Sequence, residues 1–299
     1  MKKVNLFIVG AAKSGTTSLY HYLNQHPDIY MCPVKEPHFF ADVENSLKEM
    51  HEKPIPGKTY HTRVIRDQEI YHSLYEEGEH FKYRGEASPS YLWDKNAAKR
   101  IYHYNPKAKI IAVLRDPVER AYSHYRMAYE LGLEDEEDFY VALKREHNRK
   151  KDNVWGKDHL YIELGFYYKQ LHRYATIFPK KQIKVINSEF LKTDTFDCYT
   201  EILSFLNLNI MQRERIVLQK KNEAQKVRYD WVRKLRVSKL RYFLKMLLGS
   251  RLLSRVKNCF YKEVEKSKNE MNHKSISLLK NVYKEDLHKL NKKFNINFK

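Results

Sequence analysis

The feature that most restricts the fold is a loop of small residues that follows the first apolar run of the chain. Residues Val4–Val9 are apolar without interruption, which is typical of a strand covered on both faces of its sheet. The loop Gly10 to Thr17 (Gly-Ala-Ala-Lys-Ser-Gly-Thr-Thr) comes next, and helical spacing of apolar residues begins at its end. Small residues let backbone amides converge on an anion, and a helix N-terminus adds unpaired N–H groups. The order strand, loop, helix therefore predicts a phosphate-binding loop in an α/β fold.

The position of the loop lysine distinguishes two classes of nucleotide site. Gly10 and Gly15 have the spacing found in nucleoside triphosphatases, in which a lysine directly follows the second glycine. Here Thr16 stands in that place, and the lysine is Lys13. A lysine three residues earlier favours a shorter ligand, with one 5′-phosphate and a group to be cleaved from it. A P-loop kinase or nucleotide hydrolase stays open as an alternative, and Mg²⁺-dependent binding of ATP would be its signature.

The other apolar segments predict an α/β fold with a central parallel sheet flanked by helices. Further strands are predicted at Ile29–Cys32, Ile110–Leu114 and Ile183–Ile186. Helices are predicted at Thr17–Asn24, Lys95–Tyr104, Val118–Leu131, Gly165–Ile177, Phe196–Leu206 and, as a closing element, within Leu278–Phe298. Strands that alternate with helices indicate parallel pairing through right-handed crossovers. We expect one domain over residues 1–299, with a core at about 1–210 and a helical tail at about 211–299.

A second candidate phosphate site follows the predicted strand Ile110–Leu114. Asp116 suits the cap of the next helix, and Pro117 suits its first turn. Arg115 then stands at the carboxyl end of the strand, with Ser123 two turns into the helix. Because a guanidinium group binds phosphate through two parallel hydrogen bonds, Arg115 and Ser123 can hold one phosphate together.

The two motifs resemble those of the sulfotransferases that use 3′-phosphoadenosine 5′-phosphosulfate (PAPS), in the bacterial and glycan-type branch that includes heparan sulfate sulfotransferase domains. Lys-Ser-Gly-Thr-Thr is similar to the family's 5′-phosphosulfate loop, and Arg-Asp-Pro-x-x-Arg-Ala-x-Ser to its 3′-phosphate motif. The resemblance covers most of the chain and implies PAPS as co-substrate, adenosine 3′,5′-bisphosphate as product and no required metal. It assigns Arg115 and Ser123 to the 3′-phosphate. The residues that it assigns to the 5′-phosphosulfate are Lys13, Ser14, Gly15, Thr16, Thr17 and Ser18.

Sulfuryl transfer requires a base for the acceptor proton and positive charge at the bridging oxygen of the leaving phosphate. Lys13 is the candidate for the positive charge. Glu36-Pro37-His38-Phe39-Phe40 resembles the Glu-x-His-Phe-Phe element of heparan-type enzymes, in which the glutamate is the catalytic base. We therefore expect Glu36 to be the base, while His38 orients it, contacts the acceptor or is a structural histidine. Glu86, at the end of another expected strand, is the alternative base or an acceptor ligand.

Two departures from the family pattern leave the acceptor open between a saccharide and a small metabolite. Relatives of the glycan type carry lysine where Ala87 stands, which weakens the resemblance to heparan-specific enzymes. Animal phenol and steroid sulfotransferases carry tryptophan where Ser18 stands, which counts against that type. The sequence also leaves open whether a hydroxyl or an amine accepts the sulfuryl group.

The net charge of +19 predicts affinity for anions without selecting one. Residues 211–260 carry 15 lysines and arginines against 3 acidic residues, so +12 of this charge lies in the tail. Within it, Lys226 and Arg228 stand where relatives use a basic loop to close over the nucleotide, and they are either phosphate contacts or surface charges. The basic amphipathic stretch 231–257 is expected to be a surface helix, with peripheral membrane or polyanion contact as alternatives. Nucleic acid is not an expected partner, and a polyanion-binding module without catalysis is the third hypothesis.

The cysteines and the amino terminus bear on the compartment. Cys32, Cys198 and Cys259 show neither metal spacing nor a disulfide framework. Residues 1–12 resemble a short signal peptide, but they fit the first buried strand better. No run approaches the roughly 18 apolar residues of a membrane span. We therefore expect a cytoplasmic protein, and the sequence does not indicate an oligomeric state.

Overall fold

The computed structural model describes residues 2–44, 49–53, 55, 60–148, 153–156, 158–218, 225–227, 261–263 and 271–298. The strands are β1 (Leu6–Gly10), β2 (Ile29–Met31), β3 (Val34–Lys35), β4 (Tyr60–His61), β5 (Tyr83–Ala87), β6 (Lys109–Leu114), β7 (Ile183–Asn187), β8 (Gln225–Val227) and β9 (Tyr261–Glu263). The α-helices are α1 (Thr16–Leu23), α2 (Gln68–Ser73), α3 (Ser90–Trp93), α4 (Ala97–Tyr104), α5 (Pro117–Glu130), α6 (Phe139–His147), α7 (Tyr167–Ala175), α8 (Ser188–Thr193), α9 (Thr195–Phe205) and α10 (His273–Phe294).

The central sheet has five parallel strands in the order β2-β5-β1-β6-β7. The chain begins at the middle strand, adds β2 and β5 on one side, and then adds β6 and β7 on the other. The direction of winding therefore reverses between β1 and β6, which pair in a register that sets Ile8 against Ile111. In open α/β sheets, ligands bind at the carboxyl ends of the strands at such a reversal. The predicted fold class is confirmed, and both phosphate motifs begin at this point.

The alternation of side chains along β1 explains why its sequence is apolar throughout. All five residues of β1 are buried. Phe7 and Val9 pack into one hydrophobic cluster, while Leu6 and Ile8 pack into another. Because successive strand residues point to opposite faces, a sheet covered by helices on both faces needs apolar residues at every position.

β5 is the exception, because its sequence Tyr-Arg-Gly-Glu-Ala is not an apolar run although all five residues are buried. The Arg84 guanidinium donates hydrogen bonds to the carbonyl oxygens of Lys3 (3.1 Å) and Phe81 (2.7 Å). Buried polar groups are tolerated where hydrogen bonds satisfy them. Hydrogen bonds from Arg84 therefore make the burial of β5 possible. The hydrophobic pattern of the strand does not reveal these bonds.

The predicted closing helix is α10, which packs against α5, α6 and α7. Its Asp286 carboxylate accepts hydrogen bonds from the amides of Tyr168 (2.8 Å) and Lys169 (3.1 Å) and so caps the first turn of α7. The Tyr283 hydroxyl donates to the carbonyl of Ile162 at 2.8 Å. In the described part of the chain, no helix combines the length and apolarity that crossing a bilayer requires. The stretch 231–257 lies outside the described residues.

Candidate active site

The loop between β1 and α1 has a backbone suited to binding an anion. Gly15 adopts φ 98°, in the left-handed region that favours glycine, and α1 begins at the next residue, Thr16. The unpaired amides of a helix's first turn are hydrogen-bond donors for an anion. Ser14 and Ser18 are buried beside the loop, whereas Lys13 is half-buried with a left-handed φ of 65°. The residues predicted to bind the 5′-phosphosulfate therefore gather around one helix N-terminus.

The segment after β6 is held by its own cap and by a tyrosine. The Asp116 carboxylate accepts hydrogen bonds from the amides of Val118 (2.9 Å) and Glu119 (3.0 Å), which fixes the start of α5. The Tyr167 hydroxyl donates to the carbonyl of Arg115 at 2.9 Å. These contacts fix the backbone of Arg115 at the carboxyl end of the sheet.

The two side chains assigned to the 3′-phosphate lie on this segment. The Arg115 guanidinium contacts the Glu119 carboxylate at 3.0 and 3.1 Å, and about a third of its side chain is exposed. Ser123 is half-buried on α5. An exposed ion pair of this kind contributes little to stability. Little free energy is therefore needed for the Arg115 guanidinium to leave Glu119 and bind a phosphate.

Burial and charges from two other parts of the chain act on Lys13. Burial lowers the pKa of the Lys13 ammonium, the charge of Arg115 lowers it further, and the charge of Glu36 raises it. The same ammonium lies 3.2 Å from Met127 Sδ on α5, one turn beyond Ser123. The structure therefore brings the phosphate loop, the Arg115 motif and the predicted base into one region. Lys13 and Arg115 repel each other in a partly buried site, and this repulsion favours the binding of an anion there.

Glu36 stands directly after β3, in a strained loop. Both Glu36 and His38 have left-handed φ angles, 67° and 54°, which residues other than glycine seldom adopt. One carboxylate oxygen of Glu36 contacts the ammonium of Lys35, and the other accepts a hydrogen bond from Thr62 Oγ1 at 3.2 Å. His38 Nε2 lies 3.8 Å from that second oxygen, and His38 Nδ1 lies 2.7 Å from Ser90 Oγ. The side chain of Glu36 is 19% exposed, so an acceptor can reach its carboxylate.

Glu86 lies near this loop but inside the core. It is completely buried, and it accepts hydrogen bonds from the hydroxyls of Tyr71 (2.6 Å), Tyr91 (3.0 Å) and Ser88 (3.2 Å). Burial raises the pKa of the Glu86 carboxyl to about 7, and the three hydrogen bonds oppose the rise. A carboxylate without exposed surface has no direct path to an acceptor, whereas Glu36 has one.

The tail residues can be placed only in part. Lys226 belongs to β8, which pairs antiparallel with β9 and lies beside α5. Arg228 and the stretch 231–257 lie outside the described residues. Their assignment to phosphate or polyanion contact stays a prediction.

Sequence reasoning missed three side chains that shape the environment of Glu36. Lys35 is buried against the Glu36 carboxylate, Thr62 reaches it from the segment after β4, and Ser90 contacts His38. The position of Lys35 beside the predicted base was a usable signal. No pattern links residues 62 and 90 to residues 36 and 38, because only the fold brings them together.

The family model described as "Sulfotransferase domain" matches residues 3–291. The chain belongs to the sulfotransferase family. The fold agrees, since the crystal structure of a sulfotransferase from Alicyclobacillus acidocaldarius matches with a TM-score of 0.71 and 27% identity, over 100% of this chain and 98% of that chain.

Two curated relatives are named for carbohydrate substrates. Carbohydrate sulfotransferase 15 of Mus musculus is 23% identical over 279 residues, covering 75% of this chain and 47% of that protein. Heparan sulfate glucosamine 3-O-sulfotransferase 5 of Homo sapiens is 28% identical over 206 residues, covering 67% of this chain and 52% of that protein. The sulfotransferase chain thus spans about half the length of these relatives.

Membership of the sulfotransferase family decides between the hypotheses that the sequence left open. Neither a P-loop kinase nor a polyanion-binding module without catalysis is favoured. PAPS is the sulfuryl donor of this family, and adenosine 3′,5′-bisphosphate is the product. The donor set of the sulfotransferase site fits this nucleotide, because Lys13 with the loop amides can hold one phosphate and Arg115 with Ser123 the other.

Proposed function

We propose that this sulfotransferase transfers the sulfuryl group of PAPS to a hydroxyl or amine of a saccharide. The observation that carries the proposal is the position of three side chains at the carboxyl ends of three neighbouring strands. Lys13 follows β1, Arg115 follows β6, and the Glu36 amide is hydrogen-bonded to the end of β5. The names of the curated relatives favour a saccharide over a small metabolite as the acceptor.

At the sulfur atom, one bond forms and one breaks, and a proton is transferred from the acceptor. The acceptor oxygen or nitrogen attacks the sulfur, and the bond between sulfur and the bridging oxygen of the 5′-phosphate breaks. The acceptor proton passes to the Glu36 carboxylate, and adenosine 3′,5′-bisphosphate leaves with the bonding electron pair. Negative charge grows on the leaving phosphate during this step, so the Lys13 ammonium stabilises the transition state more than the bound substrate.

His38 and Lys35 have supporting roles in this proposal. Lys35 and Thr62 hold the two oxygens of Glu36, and His38 Nε2 faces the second oxygen at 3.8 Å. These neighbours fix the direction in which the carboxylate can accept a proton. Arg115 and Ser123 hold the 3′-phosphate and thereby set the position of the sulfur relative to Glu36.

The experiment is a turnover assay with radiolabelled PAPS and a panel of glycans and hydroxylated or amino metabolites. Lys13→Ala should abolish transfer, and Glu36→Gln should lower kcat by about 10²–10⁴-fold, the usual loss for a positioned base. Affinity for adenosine 3′,5′-bisphosphate should be unchanged in Glu36→Gln, because the carboxylate contacts the acceptor side. Lys107→Ala is the matched control, since this exposed lysine precedes β6 at the opposite end of the sheet.

Two outcomes would overturn parts of the proposal. Transfer to metabolites with none to any glycan would reject the saccharide assignment. A Glu36→Gln protein with the wild-type rate would reject Glu36 as the base.

A further inference from the structure

The loop that carries the proposed base does not hold its shape by itself. Glu36 and His38 both have left-handed φ angles, which are unfavourable for side chains with a Cβ atom. Such conformations persist only where the surroundings impose them. Contacts from other parts of the chain must therefore stabilise the backbone conformation of this loop.

Three alternate amides of the loop contact one neighbouring segment. The Glu36 amide donates to the carbonyl of Ala87 at 3.1 Å. The His38 amide donates to Ser88 Oγ at 3.2 Å, and the Phe40 amide donates to the hydroxyl of Tyr91 at 3.3 Å. The loop is thus bound along its length to the end of β5 and the start of α3.

The last two of these contacts depend on the direction of a hydroxyl hydrogen. Ser88 Oγ and the Tyr91 hydroxyl both donate to the same oxygen, Glu86 Oε2, at 3.2 and 3.0 Å. A hydroxyl has a single hydrogen, so once it is given to the carboxylate, the oxygen presents only lone pairs to other neighbours. Those lone pairs are what the loop amides need. The Tyr71 hydroxyl holds the other oxygen, Oε1, at 2.6 Å.

We propose that Glu86 is a positioning residue for catalysis, which fixes the Ser88 and Tyr91 hydroxyls as acceptors for the His38 and Phe40 amides and thereby sets the direction of Glu36. This role rests on the proposed function of Glu36 as the base. Glu86 is completely buried, so it acts through the loop and does not contact the acceptor. Ser90, which contacts His38 Nδ1 at 2.7 Å, extends the same support to the histidine ring.

The test is a double-mutant cycle between Glu86→Gln and Glu36→Gln at pH 8, read as kcat and KM for PAPS. This pH lies above the pKa of about 7 that burial gives the Glu86 carboxyl, so the wild-type group is the carboxylate that accepts from both hydroxyls. Glu86→Gln alone should lower kcat about 10- to 100-fold and leave the KM for PAPS and the affinity for adenosine 3′,5′-bisphosphate within about twofold. In the Glu36→Gln background, Glu86→Gln should lower kcat hardly any further, because the carboxylate that Glu86 positions is already absent.

Two further variants keep the test independent of how Glu86→Gln folds. Ser88→Ala removes one of the two hydroxyls and should lower kcat in the same way, again only while Glu36 is present. Tyr71→Phe is the matched control, because it removes a donor to Glu86 Oε1 without touching the acceptors of the loop amides. It should keep kcat within about threefold of wild type.

The outcomes separate this inference from the proposed function. Equal losses from Glu86→Gln with and without Glu36 would overturn the positioning role and leave Glu36 as the base. A Glu36→Gln protein with the wild-type rate would remove the base assignment itself. If Ser88→Ala and Glu86→Gln both turn over at the wild-type rate while Glu36→Gln is slow, only the inference fails.

Discussion

Replacing Glu86 by glutamine should change how the stability of the protein depends on pH. Burial raises the pKa of this carboxyl from an ordinary value near 4.5 to about 7. The folded protein therefore keeps the proton at pH values where the unfolded chain has already lost it. The contribution of Glu86 to the free energy of unfolding is therefore largest below pH 4.5, and it is lost as the pH rises from about 4.5 to about 7.

The size of the effect follows from the difference between the two pKa values. At 1.36 kcal/mol for each tenfold change in proton affinity, the fall is on the order of 3 kcal/mol. Glutamine has no proton to lose, so Glu86→Gln should lack this fall. Glu146, whose pKa burial also raises to about 7, is present in both proteins and cancels in the comparison.

Urea unfolding of both proteins at a series of pH values from 4.5 to 8 measures the effect. The difference in the free energy of unfolding between Glu86→Gln and wild type should shift by about 3 kcal/mol across this range, in favour of the variant at high pH. Glu77→Gln, which removes an exposed carboxyl by the same substitution, is the matched control. Parallel curves for Glu86→Gln and wild type would refute the reasoning, because they would mean that burial does not hold the proton on Glu86.

Two other variants probe the nucleotide side of the site. Arg115→Ala should weaken binding of adenosine 3′,5′-bisphosphate about 10- to 100-fold in a calorimetric titration, since hydrogen bonds to a charged group contribute about 1.5–3 kcal/mol, and unchanged affinity would exclude Arg115 from the phosphate site. Asp116→Ala removes the carboxylate that caps α5 and should lower the free energy of unfolding by about 1 kcal/mol in urea, whereas no change would mean that the cap does not stabilise the helix.

The elements with the strongest sequence patterns were the ones that the sequence predicted well. The strand predicted at Ile110–Leu114 is β6, and the helix predicted at Val118–Leu131 is α5, each within about a residue at both ends. Uninterrupted apolar residues mark β6, and Asp116 with Pro117 marks the start of α5. The loop Gly10 to Thr17 and the segment from Arg115 to Ser123 each contain their phosphate-binding residues within a few positions of one another. The nucleotide site could therefore be predicted from local sequence.

β5 was expected as a strand that ends near Glu86, but the sequence did not show how its polar residues could be buried. Its Arg84 and Glu86 break the apolar pattern, and only distant partners such as Tyr71 make their burial tolerable. The helix α6 (Phe139–His147) was not predicted. The approach of Glu36 to Lys13 depends on the placement of β3, which pairs with β4 outside the central sheet, against the end of β5. Neither local spacing nor composition contains that information.

A comparison of two nucleotides tests most directly whether two separate anion sites hold the ends of one adenosine bisphosphate. Calorimetric titration of wild type and Arg115→Ala with adenosine 3′,5′-bisphosphate and with adenosine 5′-monophosphate gives four affinities. Removing the 3′-phosphate should weaken binding to wild type about 10- to 100-fold and should have little effect on Arg115→Ala. Equal affinity of wild type for the two nucleotides, or no affinity for either, would contradict the assignment.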